Sequence, residues 1–352
     1  ASAAGGSNAT PGWVLDAVVG AGGSQSLAEL GYVEATALPF LAMSPLAQWE
    51  DSQPVRVATF APAALSSRLC AIGTNTKQLV VADVGELSRT EAEHDDAFAV
   101  EHGHLRALPV VHTWKRQHVG SVYSAAWSPA PLGGMYCLAT CSNDTTVRVV
   151  RWLPDALVPG GLGAASPQPP IVINTDAGTL RRVCWLTQLG FGEETMDMSA
   201  SATSAWGAGS QPYVVTAGGG DFGIRVYDLE RASRPRPASA QVNTVASATP
   251  ALVNLRGHTG TVHSVQPWGT SGKQLLSVSV DGTLRLWDVR LARCASTLTP
   301  SLPAQRASAS HELHSLSVRP TSTPWSPREA VVGSGDGVVF VCDVAAGRTV
   351  TG

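Results

Sequence analysis

His258, Ser277 and Asp281 fall within one short stretch and supply the three side-chain types of an acyl-transfer triad: a base, a nucleophile and an orienting carboxylate. Whether they react or pack depends on the unit that carries them. Cys137 and Cys141 are four apart on a strand-like run and lack a second ligand pair at zinc spacing. With Cys70, Cys184, Cys294 and Cys342 they read as reduced core thiols of a cytosolic chain, with no metal site. His94, Asp95, Asp96, His102 and His104 could gather a cation, but in a polar stretch they read as solvated loop charge. Gly218–Asp221–Gly223 is glycine-rich, yet it joins two strand-like runs where a phosphate cradle needs a strand followed by a helix, so it reads as a turn. The basic spots Lys115–Arg116, Arg181–Arg182 and Arg231–Arg236 read as rim charge, and the first two pairs are the groups able to touch an acidic partner.

These side chains sit in a chain of 352 residues with a formal charge of -3. Such a chain has no global basic field to gather nucleic acid or an anionic membrane. No apolar run approaches the ~20 residues of a spanning helix. Only 14% of residues are charged, while 35 glycines and 23 prolines imply many turns. No cofactor fingerprint is present, and the reading is of a protein that is not an enzyme.

One pattern recurs. Its fullest copy, Gly257 to Val289, has a Gly-His pair, a short apolar strand, a turn, a second strand reaching Asp281-Gly282, and a third strand closing on Trp287-Asp288. Weaker copies give units at about 54–114, 118–174, 176–256, 257–299 and 311–352. The insertions 85–106, 154–170, 189–211 and 231–250 are polar or rich in Pro, Gly, Ala and Ser and read as loops. Short apolar stretches at 109–114, 171–174, 252–256 and 294–299 can each supply a fourth strand. Residues 1–50 show no repeat and read as an irregular extension with one short helix near Ser26–Leu30, ahead of a repeat domain at 51–352.

Gly257-His258, Ser277, Asp281 and Trp287-Asp288 resemble a WD repeat, the four-stranded antiparallel blade of an all-β propeller. The resemblance implies five recognisable blades of a larger propeller of about seven. It also implies a buried tetrad in which Asp281 accepts from His258, His258 bonds Ser277, and Ser277 meets the indole of Trp287. Those roles take the three residues out of catalysis. The second unit keeps His118, Thr140 and Asp144 but has Val150 at the Trp position. The third has Asp176 for His and Tyr227 for Trp, the fifth keeps Asp336 but ends on Cys342, and the first lacks both His and Trp.

A narrower resemblance rests on QWEDSQPVRVATFAP, AIGTNTKQLVV, PVVHTWKRQHVGSVYSAAWSP, LATCSNDTTVRVV, DAGTLRRVCWL and LRGHTGTVHSV in that order. It is similar to the C-terminal propeller of the nemitin-type, microtubule-associated WD-repeat proteins. That family's propeller has more blades and follows helical and coiled-coil regions, so the chain reads as a fragment or a shortened relative. The implied function is a non-catalytic scaffold of the microtubule cytoskeleton, cytoplasmic and placed in the axoneme of a cilium or flagellum. Its implied partners are microtubule-associated or axonemal proteins, with tubulin contact through Lys115, Arg116, Arg181 and Arg182, and no nucleic acid or membrane. The competing reading is a soluble adaptor such as a ubiquitin-ligase substrate receptor.

Overall fold

The computed structural model describes residues 47–85, 106–155, 161–186, 212–233, 248–269, 272–300, 311–318 and 329–350. The short helix expected near Ser26–Leu30, the His94–His104 cluster and the insertion 189–211 lie outside them. The described chain forms five antiparallel sheets, each built from one stretch of the chain, and one short parallel pair.

The first sheet orders β2 (Val55–Phe60), β3 (Leu69–Thr74), β4 (Leu79–Asp83) and β6 (Val110–Trp114). The second orders β7 (Val122–Trp127), β8 (Tyr136–Ser142) and β9 (Thr146–Leu153), and β9 carries β10 (Ala164–Ala165) and β11 (Ile171–Asn174) along its outer edge. The third orders β12 (Leu180–Leu186), β13 (Tyr213–Gly218), β14 (Ile224–Asp228) and β15 (Val253–Leu255), with a one-turn helix α1 (Leu229–Ser233) after β14. The fourth runs β16 (Val262–Trp268), β17 (Gln274–Ser279), β18 (Leu284–Asp288) and β19 (Arg293–Leu298). The fifth runs β20 (Leu313–Val318), β21 (Glu329–Ser334), β22 (Val339–Asp343) and β23 (Arg348–Val350).

Periodicity explains the stacking. Along β8, Cys137, Ala139 and Cys141 join the core with the third sheet, while Tyr136 and Leu138 join the core with the first. Successive side chains on a strand point to opposite faces, so a strand covered on both sides must be apolar throughout. That is why β3, β4, β8 and β13 are buried along their whole length. The first strands pack in succession, β2 on β7, β7 on β12, β12 on β16 and β16 on β20. The result is an arc of five blades sharing an inner wall.

The two ends of the arc differ from its middle. On the fifth blade Ala330, Val332, Phe340 and Cys342 are buried against the fourth, whereas Val331, Val339 and Val341 on the opposite face are exposed. On the first blade Cys70, Ile72 and Val80 are covered by Trp49 and Leu108. That cover is held by a parallel pair, β1 (Ala47–Gln48) with β5 (Arg106–Ala107). β1 falls where sequence placed only an irregular extension, and β23 follows Asp343 where no strand was expected. Both are too short to show a period of their own.

Candidate interaction site

The fourth blade brings His258, Ser277, Asp281 and Trp287 together. His258 Nδ1 lies 2.8 Å from Asp281 Oδ2, and His258 Nε2 lies 2.8 Å from Ser277 Oγ. The Trp287 indole N–H donates to the same Ser277 Oγ at 2.8 Å. An indole can only donate, so the serine oxygen accepts from Trp287 and its own O–H is left for His258 Nε2. The imidazole proton then sits on Nδ1 and goes to Asp281. Burial lowers the His258 pKa against the pull of Asp281. Burial works to raise the Asp281 pKa, but hydrogen bonds from Thr283, the Thr259 N–H and His258 outweigh it and hold the carboxyl at about 2.

This arrangement cannot act as a triad. Ser277 is fully buried and already receives the indole, so no substrate carbonyl reaches it. The thiols are equally inert: burial pushes Cys137, Cys141 and Cys184 up to about 12 and Cys342 to about 11. Among the described residues no group of three His, Cys, Asp or Glu is placed to hold a metal ion.

The other blades vary the same plan. In the second, His118 Nδ1 is 3.1 Å from Asp144 Oδ2 and Nε2 is 2.8 Å from Thr140 Oγ1. Val150 pairs with Leu138 as Trp287 pairs with Leu275, so the valine occupies the indole's register and Thr140 lies 3.2 Å from the Arg148 carbonyl instead. In the third, Thr216 and Tyr227 hold the Ser277 and Trp287 registers, but both hydroxyls are buried without a partner. Arg225 organises that blade, donating to Asp221 at 3.0 and 2.7 Å and lying 3.2 Å from Asp176. Asp221 belongs to the glycine-rich turn, whose backbone is engaged within the sheet, Gly219 N–H donating to Thr179 O at 2.9 Å. In the fifth, His311 Nδ1 lies 2.7 Å from Asp336 Oδ2, a pairing that the reading by Asp336 and Cys342 alone had missed. The signal was there, since His311 precedes Asp336 by nearly the spacing of His258 to Asp281.

Two segments match the WD domain, G-beta repeat, residues 109–150 and 250–288. The first segment ends on Val150 of β9 and the second on Asp288 of β18. The chain carries WD repeats over these two segments. It is similar to the WD repeat-containing protein VIP3 of Arabidopsis thaliana, 26% identical over 191 residues, which is 49% of this chain and 54% of that protein. The chain thus spans about half the length of the curated relative it matches.

Each of the five blades places a β-bulge at the same point. The register slips between Val55 and Val57, Val122 and Ser124, Leu180 and Arg182, Val262 and Ser264, and Leu313 and Ser315. The residues left in the bulges are Arg56, Tyr123, Arg181, His263 and His314. A bulge bends its strand and re-aims one side chain. Here all five lie at the end of the blades where the second strand turns into the third, beside the turns that hold Asp144 and Asp281. They form two contact groups. Arg56 and Arg181 each lie over the Tyr123 ring, at 5.6 and 4.5 Å from its centroid, and His263 stacks on His314 at 4.5 Å with 28° between planes. Burial lowers the His263 pKa, helped by the charges of His314 and Arg181 and opposed by Glu312.

The basic residues picked from sequence separate accordingly. Arg181 is in this row. Lys115 and Arg116 are exposed on the connection from β6 to β7 at the same end, Arg116 with a left-handed φ of 62°. Arg182 is half-buried, with its Nε unpartnered and its charge acting on the thiols of Cys141 and Cys184. Arg56, Tyr123, His263 and His314 were missed. Their signal is positional, the second residue of each first strand, and a bulge shows only once register is known.

Proposed function

We propose that the protein is a non-catalytic scaffold that docks other proteins on the turn-bearing end of its blades, and that it does so on the microtubules of a ciliary or flagellar axoneme. WD repeats are protein-interaction modules, and the observation that carries the docking surface is the row of five bulge residues fixed on the rigid inner wall. A wall of packed strands holds such groups in place at little entropic cost on binding. The microtubule assignment is supported by the ordered sequence likeness to the nemitin-type propellers, from QWEDSQPV through VSVDGTLRLWDVR.

The scaffold's net charge of -3 gives no overall attraction to an acidic lattice, so contact with bare microtubules is weak and salt-sensitive, and retention comes from shaped contacts with other proteins. Co-sedimentation tests this. The purified chain is expected to remain with salt-washed axonemes and to leave bare microtubules as salt rises. Charge reversal at Lys115, Arg116, Arg181 and Arg182 weakens the bare-microtubule contact further. Tight binding to bare microtubules at high salt would replace docking with a direct tubulin site. Absence from axonemes, with capture by soluble ligase components instead, would favour the adaptor.

A further inference from the structure

We propose that the row Arg56–Tyr123–Arg181–His263–His314 binds an extended acidic segment of a partner protein, a run of Asp and Glu side chains laid across the inner wall of the blades. The proposal rests on the docking function above only in that the ligand belongs to a protein.

Some of the chain's arginines are paired with carboxylates, Arg68 with Asp83 and Arg225 with Asp221 and Asp176. Those of the row are not. Among the described residues neither Arg56 nor Arg181 has a carboxylate partner, and the carboxylate that faces the row is the exposed Glu312, 3.4 Å from His314. Arg56 donates its Nε to Asn75 Oδ1 at 2.8 Å, and Arg181 keeps a buried Nε with no partner. Both guanidinium groups therefore keep donors to give.

Tyr123 sets their direction. A guanidinium held over an aromatic ring is fixed in plane while its N–H edges stay open, which suits recognition of a carboxylate by two parallel hydrogen bonds. A segment in extended conformation presents every second side chain on one side, about 6.5 Å apart. Acidic residues at alternate positions then meet groups from successive blades. The ligand is a peptide carrying several carboxylates because the basic side chains Arg56, Arg181, His263 and His314 are distributed over four strands. A single phosphate would be served by one cluster.

His263 makes the row pH-dependent. It faces His314 on β20, Arg181 on β12 and Glu312 beside His314, and burial, helped by the charges of His314 and Arg181, lowers its pKa below the ordinary 6.5. An acidic ligand favours the charged ring, so the ligand binds tighter as pH falls below about 6.5.

The test uses the full chain and a fluorescein-labelled peptide of alternating Glu and Gly, followed by fluorescence anisotropy. Binding is expected to weaken with salt and to weaken about tenfold or more in Arg56→Gln/Arg181→Gln, consistent with losing charge-assisted hydrogen bonds. Arg290→Gln, an exposed arginine beyond β18, controls for net charge and should bind as the parent does. His263→Gln should flatten the pH dependence. Urea unfolding verifies that each variant is folded. Equal binding by the double arginine variant, no binding by the parent, or preference for a phosphoserine peptide or an anionic phospholipid vesicle would each overturn the proposal. Retention of the chain in axonemes without peptide binding refutes the acidic ligand and leaves docking intact. Peptide binding without axonemal retention supports the acidic ligand and refutes the axonemal placement.

Discussion

Ser277 is the junction on which the fourth blade's polar network depends. Its hydroxyl satisfies the Trp287 indole and the second nitrogen of His258 at once, both at 2.8 Å. An unsatisfied buried donor costs about 1–3 kcal/mol, so Asp281→Ala, which leaves the His258 Nδ1–H with the Thr283 hydroxyl at 3.3 Å in place of its closer carboxylate, should destabilise by about that amount. Trp287→Ala also opens a cavity and should cost about 3–5 kcal/mol in urea unfolding. Losses at both sites within about 0.5 kcal/mol, as for an ordinary surface change, would refute the network. Its pH response follows from two shifts of like sign. His258 has a folded pKa below its ordinary 6.5, so the unfolded chain takes up the proton first and the contribution present above 6.5 is lost as pH falls. Asp281, held at about 2 against an ordinary 3.8, contributes stability above 3.8 that disappears toward 2. The urea midpoint should therefore rise with pH across both windows, and Asp281→Asn should flatten part of the lower one.

Among the elements, the first strands work hardest, because those inside the arc must pack on two neighbouring blades and still turn one side chain outward. The bulge reconciles these demands by adding a residue that belongs to neither face. Close approach of neighbouring blades is visible at Gly73 on β3. A Cβ placed there would come within 2.7 Å of Val122 Cγ1 and 2.8 Å of Val57 Cγ1, so something must shift. Gly73→Ala is expected to cost about 1–3 kcal/mol by overpacking, read from chemical denaturation. An unchanged midpoint would mean that the first two blades are less tightly joined than the core around Leu138 and Trp152 implies.

For the whole arc, the fifth blade is the informative end. Val339 is 67% exposed and its chain neighbour Phe340 only 3%, because the two point to opposite faces of one sheet. Phe340→Ala should cost about 3–5 kcal/mol, whereas Val339→Ser should stay within about 0.5 kcal/mol. A large loss at Val339 in the isolated chain would show that this face is covered, by a second copy or by another part of the protein. Sedimentation of parent and variant distinguishes those two.

The sequence by itself determined the β class, the five units, and the fourth strands at 109–114, 171–174, 252–256 and 294–299, because alternation and apolar runs between turns are local signals. It also placed the four residues of the fourth blade in one unit and identified Val150 and Tyr227 at the indole register, since blades repeat with nearly constant internal spacing. Only the tertiary structure decided the rest. Arg225, β1 and β23 depend on partners that no short pattern announces, whereas His311 was legible from its spacing to Asp336. Arg56, Tyr123, His263 and His314 lie far apart along the chain and are unlike in type, and they become one surface because five bulges fall at the same height on adjacent strands. Which side chains a chain presents together is set by register and blade packing, and both are long-range properties.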